Sequence, residues 1–168
     1  MRDVAIMFME THYAPFGDLL DTIRTGQPAA ERFYGQSFFA WLSQHPGQAS
    51  RFTAAMASLT GGFKGAAIAA LPLDGTGTVI DVGGAWQILA NIAAAGGSGA
   101  QLLLIEFVVP PGNAPHMAKI SDLNMLAMMG GQERTEAEWR ELLTEAGYAG
   151  VAIRPTGTPF SVIEATVR

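Results

Sequence analysis

The run Val79-Ile80-Asp81-Val82-Gly83-Gly84 is a short apolar segment that carries one acid and ends in two glycines. At the carboxyl end of a parallel strand, such a turn lets the backbone come close to a bound cofactor, because glycine has no Cβ to hold the ligand off. The same pattern also serves as an ordinary turn, and the residues alone leave both readings open. There are only three histidines, His12, His45 and His116, far apart in the chain, and there is no cysteine. Disulfides, thiolate metal sites and cysteine nucleophiles are therefore excluded. No metal site is expected.

The elements that must position any chemistry follow from the spacing of apolar residues. Phe16, Leu19, Leu20 and Ile23 fall on one stripe of a helix, and Gly26 and Pro28 punctuate its end. Phe33, Tyr34, Phe38, Trp41 and Leu42 give a second stripe. Pro46 suits a first helical turn; Phe52, Met56 and Leu59 follow at helical spacing, and Gly61-Gly62 is expected to stop that helix. These aromatics and methionines read first as core. Residues 63–71 read as a further apolar helix and 72–77 as a turn. The period then changes. Residues 78–82 read as a strand, 86–95 as a helix, 101–109 as a buried strand and 119–129 as a helix rich in Leu and Met. Thr135 and Glu138 make a capping box that opens a helix with Trp139, Leu142, Leu143 and Ala146 on one face. Gly147 stands where such a helix ends. Residues 150–154 and 160–167 close the chain as an antiparallel pair of strands.

Composition bounds the function. The 168 residues are 49% hydrophobic and 15% charged, with a net charge of −5. A charge-rich disordered chain is excluded. A phosphate-tracking nucleic-acid binder needs a basic face, so no nucleic-acid partner is expected. No apolar stretch approaches the ~20 residues of a membrane span, so no membrane partner is expected and the chain reads as cytoplasmic. The charged fraction lies below the usual ~25%, and surplus apolar surface of this kind usually ends in an oligomer interface.

Several segments together resemble the small-molecule O-methyltransferases that use S-adenosylmethionine, the plant caffeate type with many actinobacterial members. Tyr13-Ala14-Pro15-Phe16-Gly17-Asp18-Leu19-Leu20 is similar to a helix of that family. Arg24-Thr25-Gly26-Gln27-Pro28 followed by Phe33-Tyr34-Gly35 is similar to its "TG-P … YG" segment, and Phe52-Thr53-Ala54-Ala55-Met56 to its helix over the acceptor pocket. Ile80-Asp81-Val82-Gly83-Gly84 resembles the opening of the cofactor motif, and Leu104-Ile105-Glu106 the penultimate core strand. Asp122-Leu123-Asn124-Met125-Leu126 and Gly130-Gly131-Gln132-Glu133-Arg134-Thr135 resemble the family's most specific signature. Ser161-Val162-Ile163-Glu164-Ala165 is similar to its last strand.

The resemblance implies an α/β fold: an N-terminal helical segment over residues 1–71, for the acceptor pocket and dimerisation, and a reduced Rossmann-like sheet of the class I methyltransferase type over residues 72–168. It implies S-adenosylmethionine as cofactor, held by Asp81, Gly83 and Gly84, and a small-molecule acceptor lined by Met56, Asn124, Met125 and Met128. Glu106 and Glu133 take the positions of the two acids that orient the family's catalytic histidine. A homodimer is expected. Where the family's cofactor loop would continue, Gly84 passes straight into Ala85-Trp86-Gln87-Ile88-Leu89, which resembles a much later helix. The family pattern therefore implies an internal deletion at Gly84/Ala85, which removes the acid expected on the ribose, the adenine contacts and the catalytic histidine.

Other roles exist for the surviving groups. Glu133 also suits a helix entry, where the dipole favours a negative charge, and Glu106 also suits a strand-end carboxylate bonded to a loop. His12 reads either as a substitute base or as an ordinary surface or helix-packing histidine. His116 lies in a Pro-Gly-Asn loop, at a pocket mouth or in solvent. The function expected is methyl transfer to a hydroxyl of an aromatic or polyketide-like molecule, impaired by the deletion. The alternatives are a biosynthetic enzyme that reuses the acceptor pocket without S-adenosylmethionine, and a non-catalytic dimerising subunit.

Overall fold

A computed structural model describes residues 2–65 and 86–168. The chain is a mixed α/β protein, as expected, with helices first and a sheet in the second half. It divides into two compact units, one of residues 1–62 with 117–133, the other of residues 63–116 with 134–168.

The first unit is helical. α1 (Arg2–Met7) runs into a wide π turn (Phe8–His12), and a short 3-10 turn (Pro15–Asp18) leads into α2 (Leu19–Thr25). Gly26 ends α2 at a φ of 74°, a left-handed conformation in which glycine carries no Cβ penalty. α3 (Ala29–Tyr34), α4 (Phe38–Gln44) and α5 (Pro46–Leu59) follow. Ser37 caps α4, its hydroxyl accepting from the Ala40 amide at 3.3 Å. Pro46 stands in the first turn of α5, where its missing N–H has no helical partner to lose. α7 (Met117–Met129) is part of the same unit. Its core is Ala30, Phe38, Leu42 and Met128, with Phe16, Tyr34, Trp41 and Phe52 packed against them. Tyr34 stacks on Trp41 at 4.2 Å and donates its hydroxyl to the Thr11 carbonyl at 2.7 Å.

Two local expectations fail here. Gly61-Gly62 does not stop α5, which passes without a break into a π turn (Thr60–Lys64), since Thr60 keeps helical angles of −60° and −51°. The apolar stripes are also not all core: Leu20, Ile23 and Phe33 are each more than half exposed, as is Phe39 beside them. Short helices present both a core face and an outer face, and here apolar residues occupy both.

The second unit holds α6 (Trp86–Gly96), β1 (Gln101–Val109), β2 (Arg134–Thr135), α8 (Glu136–Glu145), β3 (Tyr148–Pro155) and β4 (Phe160–Val167). The described strands form one sheet in the order β2-β1-β4-β3. β1 and β2 are parallel, and the other pairs are antiparallel. β1 is interior, as expected; the strand expected at residues 78–82 lies outside the described residues. Burial alternates along the start of β1: Leu102 and Leu104 are buried, while Leu103 and Ile105 are half-buried. The expected strand buried throughout is thus covered chiefly on one face.

That face is closed by α6 and α8. Leu89 and Ala93 of α6, and Trp139, Leu143 and Ala146 along α8, join Leu102, Leu104, Tyr148, Ile163 and Ala165 in one core. The expected capping box is present: the Thr135 hydroxyl accepts from the Glu138 amide, and the Glu138 carboxylate accepts from the Thr135 amide at 2.7 Å. Those same hydrogen bonds from Thr135 hold the Glu138 carboxyl below the usual glutamate range. Two polar tips inside the core find backbone partners. The Trp139 indole N–H donates to the Phe107 carbonyl at 3.0 Å, and the Tyr148 hydroxyl to the Leu89 carbonyl at 3.0 Å.

Candidate functional site

The clearest constructed feature around a predicted site residue is the anchoring of Glu133. α7 ends at Met129, and Gly130 turns the chain at a φ of 63° with Pro28 Cγ only 3.2 Å from where a Cβ would stand. At Gly131 a Cβ would lie 2.8 Å from the Met125 methyl, and the Gly131 amide donates to the Met125 carbonyl at 3.2 Å. The double glycine therefore folds the chain tightly back on its own helix. Glu133 arrives beside residues 121 and 122. The Ser121 hydroxyl donates to Glu133 Oε1 at 2.6 Å, and the Asp122 carboxylate accepts the Glu133 amide at 2.8 Å. One bond aims the side chain and the other fixes the backbone. Hydrogen bonds to an ionised group are the stronger kind, so this carboxylate has a set orientation against α7.

Ser121 was not among the predicted site residues, and Asp122 entered only as part of a motif. The signal available was their position on α7, eleven and twelve residues before Glu133, a spacing that needs a chain reversal such as the double glycine to make sense.

The other predicted residues divide between the units. Met56 on α5 and Asn124 and Met125 on α7 are half-buried in the first unit. Met128, on the same helix, is fully buried in the core with Phe38 and Leu42. Asn124 Oδ1 is buried and has no hydrogen-bond partner. A buried acceptor left unpaired costs about 1–3 kcal/mol, so this amide is a costly polar spot within the first unit. Glu106 belongs to the second unit, half-buried on β1 opposite Ser161 of β4. Asp81, Gly83 and Gly84 lie outside the described residues. Of the histidines, His12 is buried while His45 is exposed. Among the described residues no group of three or more acids and histidines is placed to hold a metal, and no helix is long and apolar enough to cross a membrane.

Comparison with known proteins gives this geometry its context. Residues 85–149 match the O-methyltransferase domain family. The chain is 25% identical to the phenazine O-methyltransferase PhzM of Lysobacter antibioticus, over 98% of this chain and 70% of that protein. The crystal structure of LaPhzM superposes with a TM-score of 0.87 at 24% identity, covering 100% of this chain and 73% of the other. Human N-acetylserotonin methyltransferase, solved in complex with SAM, gives a TM-score of 0.81 at 16% identity over 98% of this chain and 70% of the other. The PhzM match runs over 239 positions, more than the 168 residues present here. The relative therefore carries residues inside the matched range that this chain lacks. Over nearly its whole length the chain is similar to O-methyltransferases, and it is shorter than they are inside the matched range.

Proposed function

We propose that this chain keeps the acceptor-binding side of an O-methyltransferase, and that its transfer of a methyl group from S-adenosylmethionine to a hydroxyl of an aromatic or polyketide-like molecule is impaired. The observation that carries the reading is the length of the match, 239 positions against a chain of 168. The family pattern assigns the ribose acid, the adenine contacts and the base histidine to the stretch this chain does not fill. Methyl transfer needs a positioned sulfonium donor and a base for the acceptor proton. A general base contributes ~10²–10⁴-fold, so its loss alone suppresses the rate by that order. On the acceptor side, the Ser121–Glu133–Asp122 arrangement, the orphaned Asn124 carbonyl, Met56 and Met125 support a retained pocket wall. Methionines suit such a wall because they adapt to flat ligands. The phenazine O-methyltransferase among the relatives supports an aromatic acceptor. Glu106 and Glu133 are then orienting acids without the histidine they would orient, and the setting is cytoplasmic secondary metabolism.

Titration calorimetry with S-adenosylmethionine and S-adenosylhomocysteine tests the reading. Asp81, Gly83 and Gly84 alone anchor no adenosine, so no saturable heat is expected at micromolar concentrations. A low micromolar dissociation constant for either ligand overturns the impairment.

A non-catalytic dimerising role is favoured by a separate observation. Leu20, Ile23, Phe33 and Phe39 on the short helices, and Met117, Ile120 and Leu123 along one side of α7, are between 41% and 65% exposed. At ~25 cal/mol per Å², covering such surface outweighs much of the ~4–15 kcal/mol cost of association. A homodimer is the expected result of light scattering on a size-exclusion column at low micromolar concentration, and a sharp monomer peak rejects it.

A further inference from the structure

We propose that Tyr34 and Pro15 act as a pair that holds the π turn of Phe8–His12 in shape, and with it the wall of a cavity at the start of the chain. The cavity has a volume of about 600 Å³ and is lined by Phe8, Met9, His12, Tyr13, Phe16 and Gly17, with Ala14 between them. All of these lie on the π turn or between it and Asp18, so the course of this one turn sets the wall. The inference concerns the backbone that carries the wall and needs no part of the methyl-transfer reading.

The reason for the pair is a carbonyl without a helical donor. Tyr13 (φ −55°, ψ −48°) and Ala14 (φ −68°, ψ −48°) keep the backbone helical right up to Pro15. In an α-helix the Thr11 carbonyl would accept from the amide four residues on. That residue is Pro15, which has no N–H and whose ring presses on the carbonyl four residues back. The chain widens instead: the Tyr13 amide donates to the Phe8 carbonyl at 2.8 Å, the i→i+5 spacing of a π turn. Widening relieves the contact with the ring but leaves the Thr11 carbonyl with no backbone donor among the described residues. Thr11 is buried, and a buried acceptor left unpaired is costly. Tyr34 supplies the donor, its hydroxyl lying 2.7 Å from the Thr11 oxygen.

The surroundings of Tyr34 suit this task. Its ring stacks on Trp41 at 4.2 Å and meets Phe33 edge-on at 5.0 Å, so the hydroxyl is aimed by packing. Burial raises its pKa above the ordinary tyrosine value, and the hydroxyl keeps the proton it donates. The last residue of α3 thereby grips the turn from outside the helix to which the turn belongs. Through the turn it places His12, whose buried ring lies 4.8 Å from Phe8 and meets Phe38 edge-on at 5.4 Å. Tyr34 is thus a positioning residue for a cavity that it does not line.

Amide exchange followed by NMR tests the pair on the whole chain, with Tyr34→Phe, Pro15→Ala and the double variant. Tyr34→Phe keeps the stacked ring and removes only the O–H. The Tyr13 amide should then exchange about 5–150 times faster, the factor equivalent to one buried acceptor left unpaired. The His12 ring protons, placed by the turn between Phe8 and Phe38, should shift in the same variant. Pro15→Ala gives position 15 an N–H, so the Thr11 carbonyl has a helical donor again. In that background Tyr34→Phe should change Tyr13 exchange by less than about threefold, since the acceptor is no longer orphaned, and the new amide at position 15 should be protected. Should Tyr34→Phe alone fail to fold, the double variant should fold, and its failure to do so overturns the pairing. Unchanged Tyr13 exchange in Tyr34→Phe overturns the role of the hydroxyl. Equal acceleration in both backgrounds overturns the role of Pro15 and reduces Tyr34 to packing. Faster Tyr13 exchange with unmoved His12 resonances overturns the link between the turn and the cavity wall.

Discussion

Trp139→Ala should destabilise the second unit by about 3–5 kcal/mol, the range for deleting a large aromatic from a core that cannot collapse around the void. The indole is 2% exposed and sits in the same cluster as Leu102, Leu104, Leu143, Tyr148 and Ile163. Its N–H is also the donor to the Phe107 carbonyl at 3.0 Å, so truncation removes a hydrogen bond as well as volume. Trp139→Phe separates the two effects. It keeps most of the apolar area and loses only the N–H, and should cost less than the alanine variant by a clear margin. Urea unfolding with amide exchange read on β1 measures both. An alanine variant that costs less than 1 kcal/mol would mean that α8 is not the lid of this core. Leu143→Ala, at a fully buried position one helical turn further on, serves as an independent check, with about 2–5 kcal/mol expected.

The second unit was readable from the sequence because several local signals agree there. Thr135 and Glu138 mark the helix start, Trp139 and Leu143 give its inner face, Gly147 ends it at a φ of 94°, and the closing strands pair antiparallel as expected. Local propensity and global packing point the same way, which is what makes such a stretch legible. In the first unit the signals separate. Helical spacing found α2 and α5 but put α3 and α4 on one stripe, which Gly35 divides at a φ of 71°; nor does periodicity say which face is inward, and Leu20, Ile23 and Phe33 turned outward. Nor does a pair of glycines announce whether it breaks a helix. Gly61-Gly62 runs on through a π turn, whereas Gly130-Gly131 reverses the chain, because there Pro28 and Met125 crowd the positions a Cβ would take. Glu133 was singled out in the sequence and Ser121 was not, since the bond between them depends on that reversal. His12 was open to either reading in the sequence. Only the bond to Thr11 and the burial of the ring distinguish a packed histidine from a surface one.

That buried histidine should give the protein a pH-dependent stability that His12→Phe removes. Burial lowers the folded-state pKa to about 4 from the usual 6.5, because a charged imidazole among Phe8 and Phe38 loses its water. Between those two values the unfolded chain binds the proton and the folded chain does not. Stability therefore rises with pH through this window. The contribution is fully present above about pH 6.5, is lost as the pH falls toward 4, and is flat below that. At ~1.36 kcal/mol per pKa unit, the whole effect is about 3 kcal/mol, of which about 2 kcal/mol is gone by pH 5. Urea midpoints at pH 7.5 and pH 5 for the wild type and for His12→Phe measure it as a double difference. Carboxylates, together with His45 and His116, titrate in both proteins, so their contributions cancel to the extent that they do not sense residue 12. The wild type should lose about 2 kcal/mol more than the variant between the two pH values. Parallel losses in the two proteins would mean that His12 accepts its proton without unfolding, and so has access to water that the folded structure denies it.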